Sequence, residues 1–145
     1  MMSTFQNDQV SDSEWSPAWS QDSTKIASTD DSHGKIQVWD VATGNTLTGI
    51  QYQDPTQGLI GSTALAWSAD GQYVAVAAGD ITEWNLSTRS KVLTYHNQAF
   101  NPGNYELSLA WSRNGRIIAS SSRGKLAQGQ YRSGYQPPTL LLHSS

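Results

Sequence analysis

The tripeptide Ala-Trp-Ser occurs three times, at Ala18-Trp19-Ser20, Ala66-Trp67-Ser68 and Ala110-Trp111-Ser112, with the tryptophans 48 and 44 residues apart. Each copy runs into a turn: Gln21-Asp22-Ser23, Ala69-Asp70-Gly71 and Arg113-Asn114-Gly115. Asp-Gly and Asn-Gly supply the positive φ angles that tight hairpins need. Eight residues beyond each Trp sits an alanine behind a branched residue: Ile26-Ala27, Val74-Ala75 and Ile118-Ala119. In two copies a second tryptophan follows, Trp39 and Trp84, 45 residues apart, with Asp40 and Asn85 behind it. A unit repeated at this distance is one supersecondary motif that buries its apolar face only against its neighbours, and the period suits a four-stranded unit.

These anchors predict short strands. In the first copy they cover about 14–20, 24–29, 35–40 and 46–52; in the second, about 62–68, 72–78, 80–85 and 90–96; in the third, about 105–112 and 116–122. Runs of this length with turns between them are an all-β signature. The second strand of each copy is small and apolar on both faces, as in Val74-Ala75-Val76, which suits a strand sandwiched between neighbouring sheets.

Composition removes several function classes. The 145 residues hold 9 Lys and Arg against 12 Asp and Glu, a net charge of −3 with no basic stripe, so no nucleic-acid partner is expected. With no cysteine, a disulfide framework, a thiol nucleophile and a Cys-ligated zinc are excluded. No apolar run of about 18 residues exists, so no membrane span is expected. The start, MMSTFQNDQVSDSEW, has neither a basic nor an apolar leader segment, from which a cytoplasmic location is expected.

The stretches AWSADGQYVAVAAGDITEWN and KIQVWDVATGNTL resemble blades of the WD-repeat family of β-propellers. Trp39-Asp40 fits the signature dipeptide and Val41-Ala42-Thr43-Gly44 the turn behind it, and the resemblance covers about 15–122. It implies an all-β, incomplete propeller of four-stranded antiparallel WD-type blades. Trp19, Trp39, Asp40, Trp67, Trp84 and Trp111 would be its structural repeat positions. The expected division is a polar N-terminal segment over 1–13 and a partial propeller over 14–123, with repeats at about 14–60, 61–104 and a truncated 105–123. An irregular tail follows over 124–145.

The family's Gly-His dipeptide, part of a hydrogen-bonded tetrad with Ser and Trp, is poorly represented; Tyr95-His96 is the one candidate. Ser28 with Trp39 fits a remnant of that tetrad, and Val76 breaks it in the second copy, so packing is expected to hold the blades together. Ten strands amount to roughly two and a half blades, fewer than the four or so that a closed propeller needs. Beyond Arg123 strand alternation fades and Pro137-Pro138 appears, which reads as an eroded end or as a tail docking through Leu140-Leu141-Leu142.

No constellation points to catalysis, so no enzyme, catalytic residue, cofactor or metal is expected. Asp30-Asp31-Ser32-His33 contains the residue types of a triad but reads as a polar hairpin loop. Glu14, Asp54, Asp80, Glu83 and Glu106 read mostly as solvated turn or strand-edge charges. The two long connections between copies, 51–58 and 96–105, mix aromatic and amide side chains, and in the resembling family such loops commonly face partners. They nominate Tyr52, Asp54, His96, Phe100 and Tyr105 as partner-binding residues.

The expected function is therefore a non-enzymatic protein–protein interaction scaffold. Self-association would complete it as a homo-oligomer, or it belongs to a larger propeller. The alternatives are a lectin-like, carbohydrate-binding oligomeric propeller and a remnant with no retained function. Tyr52 and Tyr105 stand 15 and 6 residues before the next Trp, unequal offsets that count against repeated sugar sites.

Overall fold

The computed structural model describes residues 17–30, 32–54, 56, 64–78, 80–96, 106–115, 117–122, 125–130 and 140–144. These form twelve strands in three four-stranded antiparallel sheets, each built from consecutive strands in sequence order. The first sheet is β1 Ala18–Trp19, β2 Lys25–Asp30, β3 Lys35–Asp40 and β4 Thr46–Gln51. The second is β5 Ala64–Trp67, β6 Tyr73–Ala78, β7 Asp80–Asn85 and β8 Ser90–Tyr95. The third is β9 Glu106–Trp111, β10 Ile117–Ser122, β11 Lys125–Gln130 and β12 Leu140–Ser144. No helix among the described residues is long and apolar enough to cross a membrane.

The turn between the first two strands is the same device in all three sheets. The Ser20, Ser68 and Ser112 hydroxyls donate to Asp22, Asp70 and Asn114 at 2.7, 2.6 and 2.7 Å. Ser20 and Ser68 also accept from the Lys25 and Tyr73 main-chain N–H at 2.9 and 3.0 Å. The fourth turn position is left-handed in every copy: Ser23 at φ 60°, Gly71 at 72° and Gly115 at 70°. Asp40 and Asn85 cap the turn after β3 and β7. Asp40 accepts from the Thr43 N–H and hydroxyl at 2.8 Å each, and Asn85 from the N–H groups of Ser87 and Thr88. Those hydrogen bonds, from the Thr43 hydroxyl first, hold the Asp40 carboxyl below its ordinary range.

The sheets stack on one another through two apolar joints. Ala27, Ile36, Val38 and Ile50 of the first sheet, with Tyr52 just beyond β4, meet Leu65, Trp67, Val74, Val76 and Trp84 of the second. The opposite side of the second sheet, with Ala66, Ala75, Ala77, Ile81 and Tyr95, meets Leu109 and Ile118 of the third. Successive side chains of a strand point to opposite faces, so β6 serves both joints, Val74 and Val76 on one side and Ala75 and Ala77 on the other. This is why its run is apolar throughout: the second sheet is covered on both faces, and alanine lets its neighbour approach closely.

Two expectations are corrected. The segment from 124 onward, expected to be irregular, supplies β11 and β12, which pair with each other and, through β11, with β10. The third sheet therefore has four strands and is not cut short after its second. Ladder pairing satisfies main-chain N–H and C=O groups whatever the side chains are, so the polar run Lys-Leu-Ala-Gln-Gly-Gln joins the edge of β10 without alternating apolar residues. Glu83, read with the solvated charges, is fully buried. It lies in the middle of β7 and pairs with Ala75 on one side and Leu93 on the other.

Candidate interaction surface

Strand β5 shows how one sheet engages the next. Its alternation turns Leu65 and Trp67 toward the first sheet and Ala64 and Ala66 toward the third. The Trp67 indole Nε1–H donates to the Ala18 main-chain oxygen at 2.9 Å, and Ala18 itself packs against the same cluster. The joint thus consists of a tryptophan on the first, innermost strand of one sheet and an alanine, with its carbonyl, on the first strand of the sheet before it. The next joint repeats the packing, with Trp111 against the cluster that contains Ala66.

Ala18 and Trp19 follow the same alternation. Ala18 faces the second sheet, so Trp19 projects the other way, and it is 58% exposed where Trp67 is 7% exposed. Leu47, in the outermost strand of that sheet, is 48% exposed. These two are the large exposed hydrophobic residues among the described ones, and both lie in the first sheet. At the far end of the stack, Leu109 and Trp111 face inward, and the alternate residues Ser108 and Ala110 are exposed. Sequence reasoning identified the Trp repeat but not the alanine partner. The signal was present in the invariant Ala-Trp order, because adjacent residues on a strand face opposite sides.

The sequence-nominated partner residues fall differently. Tyr52 is buried at 9% exposure and belongs to the first joint, with its N–H donating to the Gly34 oxygen at 2.8 Å. Asp54 is exposed and accepts from the Thr56 N–H at 2.9 Å and its hydroxyl at 2.7 Å, which holds its carboxyl below the ordinary range. His96 is exposed and pairs through Nδ1 with Asp80 at 2.9 Å. Phe100 and Tyr105 lie outside the described residues. A second imidazole–carboxylate pair joins His33 Nδ1 to Asp30 at 2.8 Å, in the hairpin after β2. No group of three or more His, Asp or Glu side chains among the described residues is placed to hold a metal ion.

The third-strand tryptophans differ between copies. Trp39 donates to the buried Ser28 hydroxyl at 3.0 Å, the pair read as a tetrad remnant. Trp84 meets Val76 at the equivalent place and donates instead to Thr82 of its own strand at 2.9 Å.

Among solved structures, the β-propeller domain of Cps50 (Swd1) from Myceliophteria thermophila is similar over 88% of this chain, with a TM-score of 0.68 and 14% identity. Hydrazine synthase from Kuenenia stuttgartiensis is similar over 90% of it, with a TM-score of 0.65 and 11% identity. The fold is an incomplete β-propeller. Its three sheets are the blades, and the Trp67–Ala18 contact is a blade-to-blade joint. The chain spans about two fifths of the solved chains it matches, 38% and 40% of their lengths. No family model matches it, and no curated protein does.

Proposed function

We propose that this chain is a non-enzymatic protein-interaction platform of the WD-repeat type, which docks a further blade against its first one. The observation that carries the reading is the contrast between two equivalent tryptophans. Trp67 is buried against the blade before it, and Trp19 is mostly exposed, with no blade beyond it among the described residues. Leaving an indole in water forgoes burial on the order of 2–3 kcal/mol, an incentive for the missing surface to be supplied. The WD-type assignment is supported by Asp40 capping the turn after Trp39 and by the Trp39–Ser28 bond. Rigid blades hold their connecting loops at fixed spacing, so a partner loses little ordering entropy on binding. Asp54 and His96, both exposed at the loop end, are the side chains offered there.

The test is a photo-cross-linking amino acid at position 19 in cells that express the chain. A protein adduct is expected. A probe at position 67 is the control and links to the first blade of its own chain. Absence of any protein adduct at 19, with the control linked, would refute the platform.

One observation favours a sugar-binding reading. A cleft of about 510 Å³ between the second and third blades is lined by Tyr73 and Trp111 together with Asp70, Gln72, Arg113 and Asn114. Aromatic faces beside amide and charged groups suit a pyranose ring. Glycan-array binding that Trp111→Ala abolishes would establish it, and a blank array removes it.

A further inference from the structure

Resting on the platform reading, we infer that the blade docking against Trp19 is the third blade of a second copy of this chain, joined head to tail. The Trp19 indole of one copy packs against β9 of the other and donates to the Ala110 main-chain oxygen. The packing is one the chain already makes twice, and the hydrogen bond is that of Trp67 to the Ala18 oxygen. Trp67 seats on Ala18, Trp111 packs with Ala66, and the Ala-Trp pair recurs in all three innermost strands. After those two joints are made, one tryptophan and one alanine site are left over, at opposite ends of the stack. The spare tryptophan is Trp19, and the spare site is Ala110 with Ser108 beside it; all three are exposed. One chain therefore exposes both complementary halves of such a joint.

A head-to-tail contact is heterologous and closes only if its rotation brings the ends together. Two copies contribute six blades, within the range of about four to eight in which propellers close. Closure would bury both spare tryptophans and both Ala110 sites at once. A different protein carrying the matching blade is the competing occupant, and the experiment separates the two.

Size-exclusion chromatography with light scattering on the 145-residue chain is expected to give twice the chain mass. Trp19→Ala and Ala110→Arg alter exposed side chains on opposite ends of the stack, and far-UV circular dichroism confirms that each variant is folded. Each variant alone is expected to weaken association by about thirtyfold or more, as the loss of a central anchor does. The two variants mixed retain one intact joint, Trp19 of the A110R chain against Ala110 of the W19A chain, and form a one-to-one heterodimer. A dimer in which Trp19 packs on Trp19 would leave A110R associated by itself and would show no such rescue. A monomeric wild-type chain, an open-ended series of larger species, or failure of the mixture to pair would overturn the inference. If a monomeric chain still cross-links at position 19 to another protein, the platform stands and the second copy does not. A monomer without any adduct removes both.

Discussion

Glu83 occupies in the second blade the place that Val38 occupies in the first. Each directly precedes the third-strand tryptophan, each lies on the side facing the following blade, and neither is open to solvent. Neither carboxylate oxygen of Glu83 has a hydrogen-bond partner among the described residues. Burial, with the Asp70 charge as a lesser cause, pushes its pKa from 4.5 up to about 7. A folded-state pKa above the unfolded one means that the native protein binds the extra proton. Stability from this group is therefore fully present below pH 4.5 and is lost as the pH rises through about 7. The loss across that window is on the order of 3 kcal/mol. Glu83→Val, which copies the first blade, is expected to be more stable than the wild type at pH 8 by about 1–3 kcal/mol, the smaller side chain offsetting part of the gain. Below pH 4.5 that advantage disappears. Denaturant unfolding at both pH values reads the difference, and an unchanged midpoint at pH 8 would contradict the burial argument.

The Ser–Asp turn predicts a second stability effect. Ser68 is buried, donates to Asp70 and accepts from the Tyr73 N–H. Ser68→Ala leaves that N–H without its acceptor and is expected to cost about 1–2 kcal/mol in urea unfolding. In the first blade, hydrogen bonds from the Ser20 hydroxyl and then from Thr24 bring Asp22 from 3.8 down to about 2. The depressed pKa gives stability that is present above pH 3.8 and lost as the pH falls through about 2. An acid titration of Asp22→Ala should lack this step.

Arg89 stands where the first blade has Gly44, with φ at 57° against 74°. The left-handed conformation costs a residue with a Cβ about 1–2 kcal/mol, against which glycine's extra unfolded-state freedom weighs about 0.5–1. Arg89→Gly is thus expected to stabilise by about 0.5–1 kcal/mol, and Gly71→Ala to destabilise by a similar amount. A Cβ at Gly71 meets no heavy atom within 4 Å, so that change tests the backbone alone. Thermal melts of the two variants should move in opposite directions.

Trp67 tests the joint itself. Trp67→Phe keeps much of the apolar area and removes the hydrogen bond to the Ala18 oxygen, an expected loss of about 1 kcal/mol. Trp67→Ala opens the joint between the first two blades and is expected to cost about 3–5 kcal/mol. A smaller loss from alanine than from phenylalanine in equilibrium unfolding would show that the blades are not held by this contact.

Much of this architecture is legible from residue order. The Ala-Trp-Ser repeat fixes the innermost strands, Asp-Gly and Asn-Gly fix the turns after them, and the doubly apolar Val74-Ala75-Val76 marks a strand covered on both faces. The reason is local: turn geometry and side-chain alternation are written within a few residues. The strands Lys125–Gln130 and Leu140–Ser144 were not legible, because main-chain pairing recruits them without a side-chain pattern. Tyr52 looked like a loop aromatic and is core, because the connection carrying it folds back beneath Gly34.

The sequence by itself determined the repeat, the strand order and the turn chemistry. The tertiary structure alone decided which tryptophan is covered and which is left in solvent, and that Glu83 is sealed in a blade while neighbouring carboxylates are hydrated. Trp19 and Trp67 share the same tripeptide. Their difference comes from what lies beyond each strand, and burial is a property of the stack, not of the residue.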